Sequence, residues 1–239
     1  MLDEIAWQNL AKLAKNPYPG RVIVIGRLSD EITIQLYAIM GRSENSRNRR
    51  FVQDGDTVRT EAIDPAKMED PSLIIYNAMR EWCGESFIVS NGHQTDTIYQ
   101  SLADNAYSFP ASQMEWSFEP DEPNYTPRIS AMTRTDGTAM ISTLTRGPDG
   151  ECQRTLYEYD AIPAGYGYCV HTYVGDGNPL RSFLEWPYLI PLVHTSLEGI
   201  AEQFWETLNA ENRVALVAKQ IDTNAGAGEE LTTVHIINR

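Results

Sequence analysis

Four arginines fall within residues 41–50 (GRSENSRNRR), in a chain whose formal net charge is -14. They are Arg42, Arg47, Arg49 and Arg50, and the chain has only 15 Arg and 4 Lys in all. A local positive patch on an acidic body selects a small anion rather than a polyanion. Guanidinium suits phosphate because its planar fork donates two parallel hydrogen bonds. Asn48, between two of the arginines, adds an amide. The plain alternative is a solvated turn with incidental charge.

Three further groups have the residue types for chemistry. Residues 90–96 (SNGHQTD) place Asn91, Gln94 and Asp96 around Gly92, where the pattern predicts that a strand gives way to a helix. Free amides at a helix start favour anions, and amide side chains match a sugar hydroxyl or a base edge. An ordinary capping turn, with Asn91 or Thr95 as N-cap, would look the same. Residues 118–128 (FEPDEPNYTPR) crowd Glu119, Asp121 and Glu122 ahead of Arg128. Crowded carboxylates raise one another's pKa, which suits acid–base work, and the prolines keep the segment extended. A solvated acidic loop is the alternative here. Tyr76-Asn77 falls at the middle or end of an apolar run, so its phenol either joins the core or points into a pocket.

Other chemistries lack their residues. A G-x-S-x-G elbow, a P-loop and a GxGxxG fingerprint are all missing. Cys83, Cys152 and Cys169 are odd in number and outside CxxC spacing, which fits reduced thiols in a cytoplasmic protein. The four histidines are scattered and show no metal-ligand spacing, so no metal site is expected. The acidic balance argues against nucleic acid. No apolar run approaches the ~20 residues of a membrane span, and residues 1–15 lack a signal-peptide core.

The elements that must position these groups follow from periodicity. Residues 2–15 have helical spacing, stopped by Asn16-Pro17-Tyr18-Pro19-Gly20. Residues 21–26 (RVIVIG) and 31–40 read as neighbouring strands, with the arginine stretch leaving the second. Asp54-Gly55 marks a hairpin within 51–62. Residues 73–80 pair with 86–90, 128–132 with 139–144, and 154–160 with 166–174. Helices are expected over 95–105, after Pro110, and over 196–208. Strands 214–221 and 231–237 follow, joined by the loop 224–228, which is too short for a domain linker. Strands outnumber helices and mostly form hairpins, so the fold class is α+β with antiparallel sheets. One domain over 1–239 is the simplest division, with 1–16 as a helical extension.

Taken in order, these pieces resemble the archaeal-type IMP cyclohydrolase family. The matching residues are Gly20-Arg21, Gly26-Arg27, Gly41-Arg42-Ser43, Asn48-Arg49, Ile75-Tyr76-Asn77 with Arg80, Val89-Ser90-Asn91-Gly92 with Thr95-Asp96, Glu119, and Asn124 to Ile129 (NYTPRI). The resemblance is good over 17–135 and weaker beyond. It implies an Ntn-hydrolase-like four-layer αββα sandwich, without that class's processed nucleophile. It implies closure of 5-formamidoimidazole-4-carboxamide ribonucleotide to IMP with loss of water, without metal or cofactor. Arg49, Tyr76 and Glu119 would be catalytic. Arg42, Arg47, Asn48, Asn77, Asn91, Gln94, Asp96 and Arg128 would bind the purine ribonucleotide. The arginine stretch is two residues longer than the family pattern, which leaves open whether Arg47 or Arg49 takes the catalytic place. Ala38 stands where that pattern has a further Arg.

Two other functions fit the same residues. One is a nucleotide-binding protein that keeps the pocket and has lost the chemistry. The other is an Ntn-like amide hydrolase using Cys83 or Cys169. The oligomeric state is left open, a homo-oligomer included.

Overall fold

The computed structural model describes residues 1–68, 71–104, 108–226 and 230–239. Helix α1 (Leu2–Lys15) leads into β1 (Arg21–Arg27) and β2 (Ile32–Met40). A one-turn helix, α2 (Glu44–Arg47), precedes β3 (Arg50–Asp54), β4 (Thr57–Glu61), β5 (Asn77–Trp82) and β6 (Ser86–Ser90). Helices α3 (Gln94–Ala103) and α4 (Phe109–Ser112) come next. Then follow β7 (Arg128–Arg134), β8 (Ala139–Arg146), β9 (Cys152–Tyr159), β10 (Tyr166–His171) and β11 (Tyr188–Pro191). Helix α5 (Leu197–Thr207), β12 (Arg213–Asp222) and β13 (Thr232–Asn238) complete the order.

The strands form two antiparallel sheets. One has the order β11-β10-β1-β2-β12-β13, the other β3-β4-β5-β6-β7-β8-β9. Both faces of the central strands are apolar, and the two-residue period sorts them. From β1 and β2, Val22, Val24, Ile34 and Leu36 pack under α1 and α5 with Leu13, Ile200 and Phe204. Their alternates Ile23, Ile25, Tyr37 and Ile39 meet Val89, Ile129, Ala131 and Ile141 of the second sheet. Ile88, Met132 and Met140 turn outward and are covered by Ile98 of α3 and Phe109 of α4. The result is helix, sheet, sheet, helix, in the α+β class.

Several expectations need correction. Residues 154–160 and 166–174 do not pair with each other. β9 pairs with β8, while β10 lies in the other sheet between β1 and β11, so residues 160–165 cross from one sheet to the other. The second run also stops at His171. Residues 73–76 are not strand, so Tyr76 lies just ahead of β5. The arginine stretch holds α2, capped by Ser43, whose side chain accepts from the Ser46 amide while the Ser46 hydroxyl accepts from the Ser43 amide. The expected helix over 95–105 begins at Gln94 behind His93, and neither Asn91 nor Thr95 is its N-cap. Asn105 lies outside the described residues, as do Ala227 and Gly228 of the 224–228 loop. Among the described residues no helix is long and apolar enough to cross a membrane.

Phe204 fills the seam under α5 and is 1% exposed. Phe204→Ala should destabilise the chain by about 3–5 kcal/mol in urea unfolding. A loss below about 1 kcal/mol would show that α5 does not seal this layer.

Candidate active site

At one end of the inter-sheet core the apolar lining changes to charge. Arg21 opens β1 on the same face as Ile23 and Ile25, so its side chain continues inward where the apolar residues stop. Tyr37 lies on the inward face of β2. Its hydroxyl is 2.6 Å from that of Tyr76, which comes from the opposite sheet. Arg49 follows α2, 1% exposed. Its Nε donates to the Ser46 carbonyl at 2.9 Å and its Nη2 to the Met40 carbonyl at 3.3 Å.

Glu119 enters from the segment between α4 and β7. The segment folds back because the Glu119 amide donates to the Thr126 carbonyl at 2.8 Å and Asp121 accepts from the Thr126 amide at 2.6 Å. The Glu119 carboxyl is 1% exposed. It lies 3.9 Å from Arg21 Nη2 and 3.8 Å from Arg128 Nη1. Both distances are ion-pair separations, too long for hydrogen bonds. Burial therefore dominates and pushes the carboxyl up to about 7, against the opposing pull of Arg21 and Arg128. Crowding by neighbouring carboxylates, the cause expected from the sequence, is secondary. Asp121 adds a smaller push, and Glu122 is exposed.

The guanidiniums outnumber this one acid. Burial, then Arg21, lowers the pKa of Arg49; burial lowers that of Arg128, with Glu119 opposing. Burial also works against the charge of Arg21, but Glu119 and then Tyr173 outweigh it and hold that pKa above the ordinary value. Arg21 Nε, Arg49 Nη1 and Arg128 Nε are buried without a hydrogen-bond partner among the described residues. Donors of this kind, around a surplus of positive charge, are fitted to an anionic or oxygen-rich ligand.

Of the residues expected from the sequence, Arg49, Tyr76, Glu119 and Arg128 come together here. Arg47 does not; its Nε donates to the Gly41 carbonyl at 2.9 Å. Arg42, Arg47 and Asn48 instead line an outer hollow of about 430 Å³ with Ile63, Asp64 and Lys67. Arg42 lies over the Tyr18 ring and donates to the Asp176 carbonyl at 2.6 Å. Asn48 exchanges two hydrogen bonds with the Asp64 backbone, at 2.7 and 2.8 Å, so its amide ties loops together. Asp96 is held at 2.9 Å by both Asn77 and Arg80, which places Asn77 and Asp96 in a structural link between β5 and α3. Asn91 is fully buried and holds the backbone of Pro127 and Ile129. Gln94 accepts from Arg128 Nη1 at 3.0 Å and so orients that guanidinium. Gly92 permits this approach, since a Cβ there would lie 2.5 Å from Arg128 Nη1.

Arg21 matches the family pattern without a role assigned from it, and Tyr37 and Tyr173 carry no signal in the sequence. An arginine opening a fully apolar strand run was the available signal for Arg21. Tyr173 comes from residues outside regular strands, and its hydroxyl bonds to Thr126. The thiols are poorly placed for nucleophilic work. Cys169 is buried and pushed up to about 12 by that burial, and Cys83 is exposed in a turn. Among the described residues no group of three or more His, Cys, Asp or Glu could hold a metal ion. A separate cavity of about 240 Å³ beside α1, lined by His171, Phe183 and Tyr188, does not include the arginine cluster.

The family model described as IMP cyclohydrolase-like protein matches residues 18–225. No curated protein matches the chain.

The folded chain binds the Glu119 proton more tightly than an unfolded chain, whose carboxyl titrates near 4.5. Stability should therefore fall as pH rises from about 4.5 to about 7, by on the order of 3 kcal/mol in total. Glu119→Gln cannot ionise and should flatten that part of the curve in urea unfolding. An unchanged slope would assign the titration to another group.

Proposed function

The chain belongs to the family of IMP cyclohydrolase-like proteins, and on that premise we propose that it closes the purine ring of 5-formamidoimidazole-4-carboxamide ribonucleotide to give IMP. The observation that carries the reading is a buried carboxyl group 3.9 Å from the Arg21 guanidinium and 3.8 Å from that of Arg128, which burial pushes up to about 7. The reaction needs little else. Its substrate holds both reacting groups, and folding them together removes the entropic cost of an encounter. The carboxamide nitrogen attacks the formyl carbon, a C–N bond forms, and negative charge develops on the formyl oxygen. In this reading the Tyr76 hydroxyl and the Arg49 guanidinium donate to that oxygen. Glu119 as carboxylate takes a proton from the nitrogen. The resulting acid passes it to the formyl oxygen, giving a hydroxyl. The formamido nitrogen then forms the C=N bond and gives up its own proton, the C–O bond breaks, and the hydroxyl leaves with that proton, relayed by Glu119, as water. A group with pKa near neutrality can serve in both directions.

The rest of the nucleotide has a matching place. Arg42 and Arg47 on the outer hollow suit the phosphate, while Lys67 there is paired with Glu44 at 3.1 Å. Arg128 and Gln94 suit the base. Arg21, paired with Glu119, joins the proposed catalytic group. The helix–sheet–sheet–helix order fits an Ntn-hydrolase-like sandwich used without a processed nucleophile. The charge the reaction requires is supplied by side chains, so a metal-independent reaction in the cytoplasm is the corresponding reading.

The direct test is incubation with the formamido ribonucleotide, followed by the hypoxanthine absorbance. Product should accumulate, and EDTA should leave the rate unchanged. Tyr76→Phe should lower kcat about a hundredfold with little change in nucleotide affinity. Binding with no turnover would favour the inactive nucleotide-binding protein, and equal turnover in Tyr76→Phe would remove that phenol from the mechanism.

A further inference from the structure

The pair of phenols between the sheets carries a second consequence. Tyr37 is fully buried on β2, its ring against Phe51 at 5.5 Å, and it lies behind Tyr76. The only hydrogen-bond partner of Tyr37 Oη among the described residues is Tyr76 Oη, at 2.6 Å. A phenol has one proton to donate. If Tyr76 donated to Tyr37, the Tyr37 proton would be buried with no acceptor, an arrangement that folded chains avoid. The other direction, with Tyr37 donating and Tyr76 accepting, moves the unpaired proton to Tyr76, which is 3% exposed where Tyr37 is fully buried, so that a ligand can supply its acceptor. The Tyr76 proton is then committed to nothing in the protein and can be aimed at a ligand.

We propose that Tyr37 is a positioning residue, whose hydroxyl fixes the direction of the Tyr76 proton and keeps it available for the formyl oxygen. The inference rests on the reading of Tyr76 given above and extends it to a residue that the ligand does not touch. Accepting a hydrogen bond makes a hydroxyl a better donor, since successive bonds polarise one another. The same bond stabilises Tyr76 oxygen if negative charge builds on it. Tyr37 itself keeps its proton, because burial and then Tyr76 hold its pKa well above the ordinary phenol value, outweighing Arg21 and Arg49. The two phenols come from different sheets, so the device also depends on how the sheets are spaced.

Tyr37→Phe removes one oxygen and keeps the ring against Phe51, so folding should be retained. Its kcat should fall about tenfold at nearly constant KM. The Tyr37→Phe/Tyr76→Phe double variant should be no slower than Tyr76→Phe alone, because the first hydroxyl acts only through the second. A structural role for Tyr37 would instead multiply the two losses, and that result overturns the proposal, as does an unchanged kcat in Tyr37→Phe. If the wild type turns nothing over, the ring-closure reading fails by itself and binding decides the role of Tyr37. Calorimetry then compares the formyl-bearing ribonucleotide with its unformylated amino counterpart. The preference for the formyl compound should drop about tenfold in Tyr37→Phe and no further in the double variant. No preference in the wild type, or one that Tyr37→Phe leaves intact, overturns the proposal.

Discussion

For Glu119, Arg49 and Arg128, removal from water outweighs what ion pairs at 3.8 and 3.9 Å return, while Arg21 alone keeps its charge favoured by its neighbours. The imbalance shapes the whole inner cluster. Glu119 responds by keeping a proton up to about pH 7, and Arg49 and Arg128 have their charges destabilised. A ligand rich in oxygen or negative charge relieves the strain that the protein alone cannot. Catalysis by preorganised charge needs this situation, in which donors already point at where charge will develop.

The two sheets make such a cluster tolerable. Apolar residues from both inner faces fill the space behind it, so Arg21 and Tyr37 on their strands, and Tyr76 just ahead of β5, pack at the end of that core. Polar ties between the sheets fix their spacing. Gln35 Nε2 donates to the Phe87 carbonyl and to Thr133, and Lys219 Nζ donates to the Asp56 carbonyl and lies 3.6 Å from Glu81. A hydroxyl pair at 2.6 Å would not survive much sliding of one sheet over the other. Glu119 and Arg49, by contrast, sit on irregular segments, held by backbone bonds within residues 119–126 and 40–49.

Periodicity in the sequence found α1, α5 and most of the hairpins, because those elements answer to local pattern. It failed where the outcome depends on distant partners. The run 154–160 reads as half of a hairpin with 166–174, yet β10 has the apolar faces of a central strand and goes to the sheet that can cover both. The short β11 was missed because four residues carry too little pattern, and α2 because its cap lies within a charged stretch. For the site, residue type was informative and role was not. Arg47 and Arg49 are alike in sequence, and only the fold separates the exposed rim from the buried interior. Asn48, Asn77, Asn91 and Asp96 are expected from their types to bind a ligand, and in the fold each also holds loops and strands that place others. Tyr37 reads as an ordinary strand residue until its face is known, and Arg21 matches the family pattern without showing a role.

The central claim is a physical one about a single group. Selective carbon-13 labelling of glutamate, with Glu119→Gln to assign the signal, would follow the Glu119 carboxyl by NMR as pH is varied. A midpoint near 7 is predicted from its burial among the arginines. A midpoint at or below the ordinary 4.5 would mean that the arginines fully neutralise the carboxylate, and the proton-carrying role assigned to Glu119 would be lost.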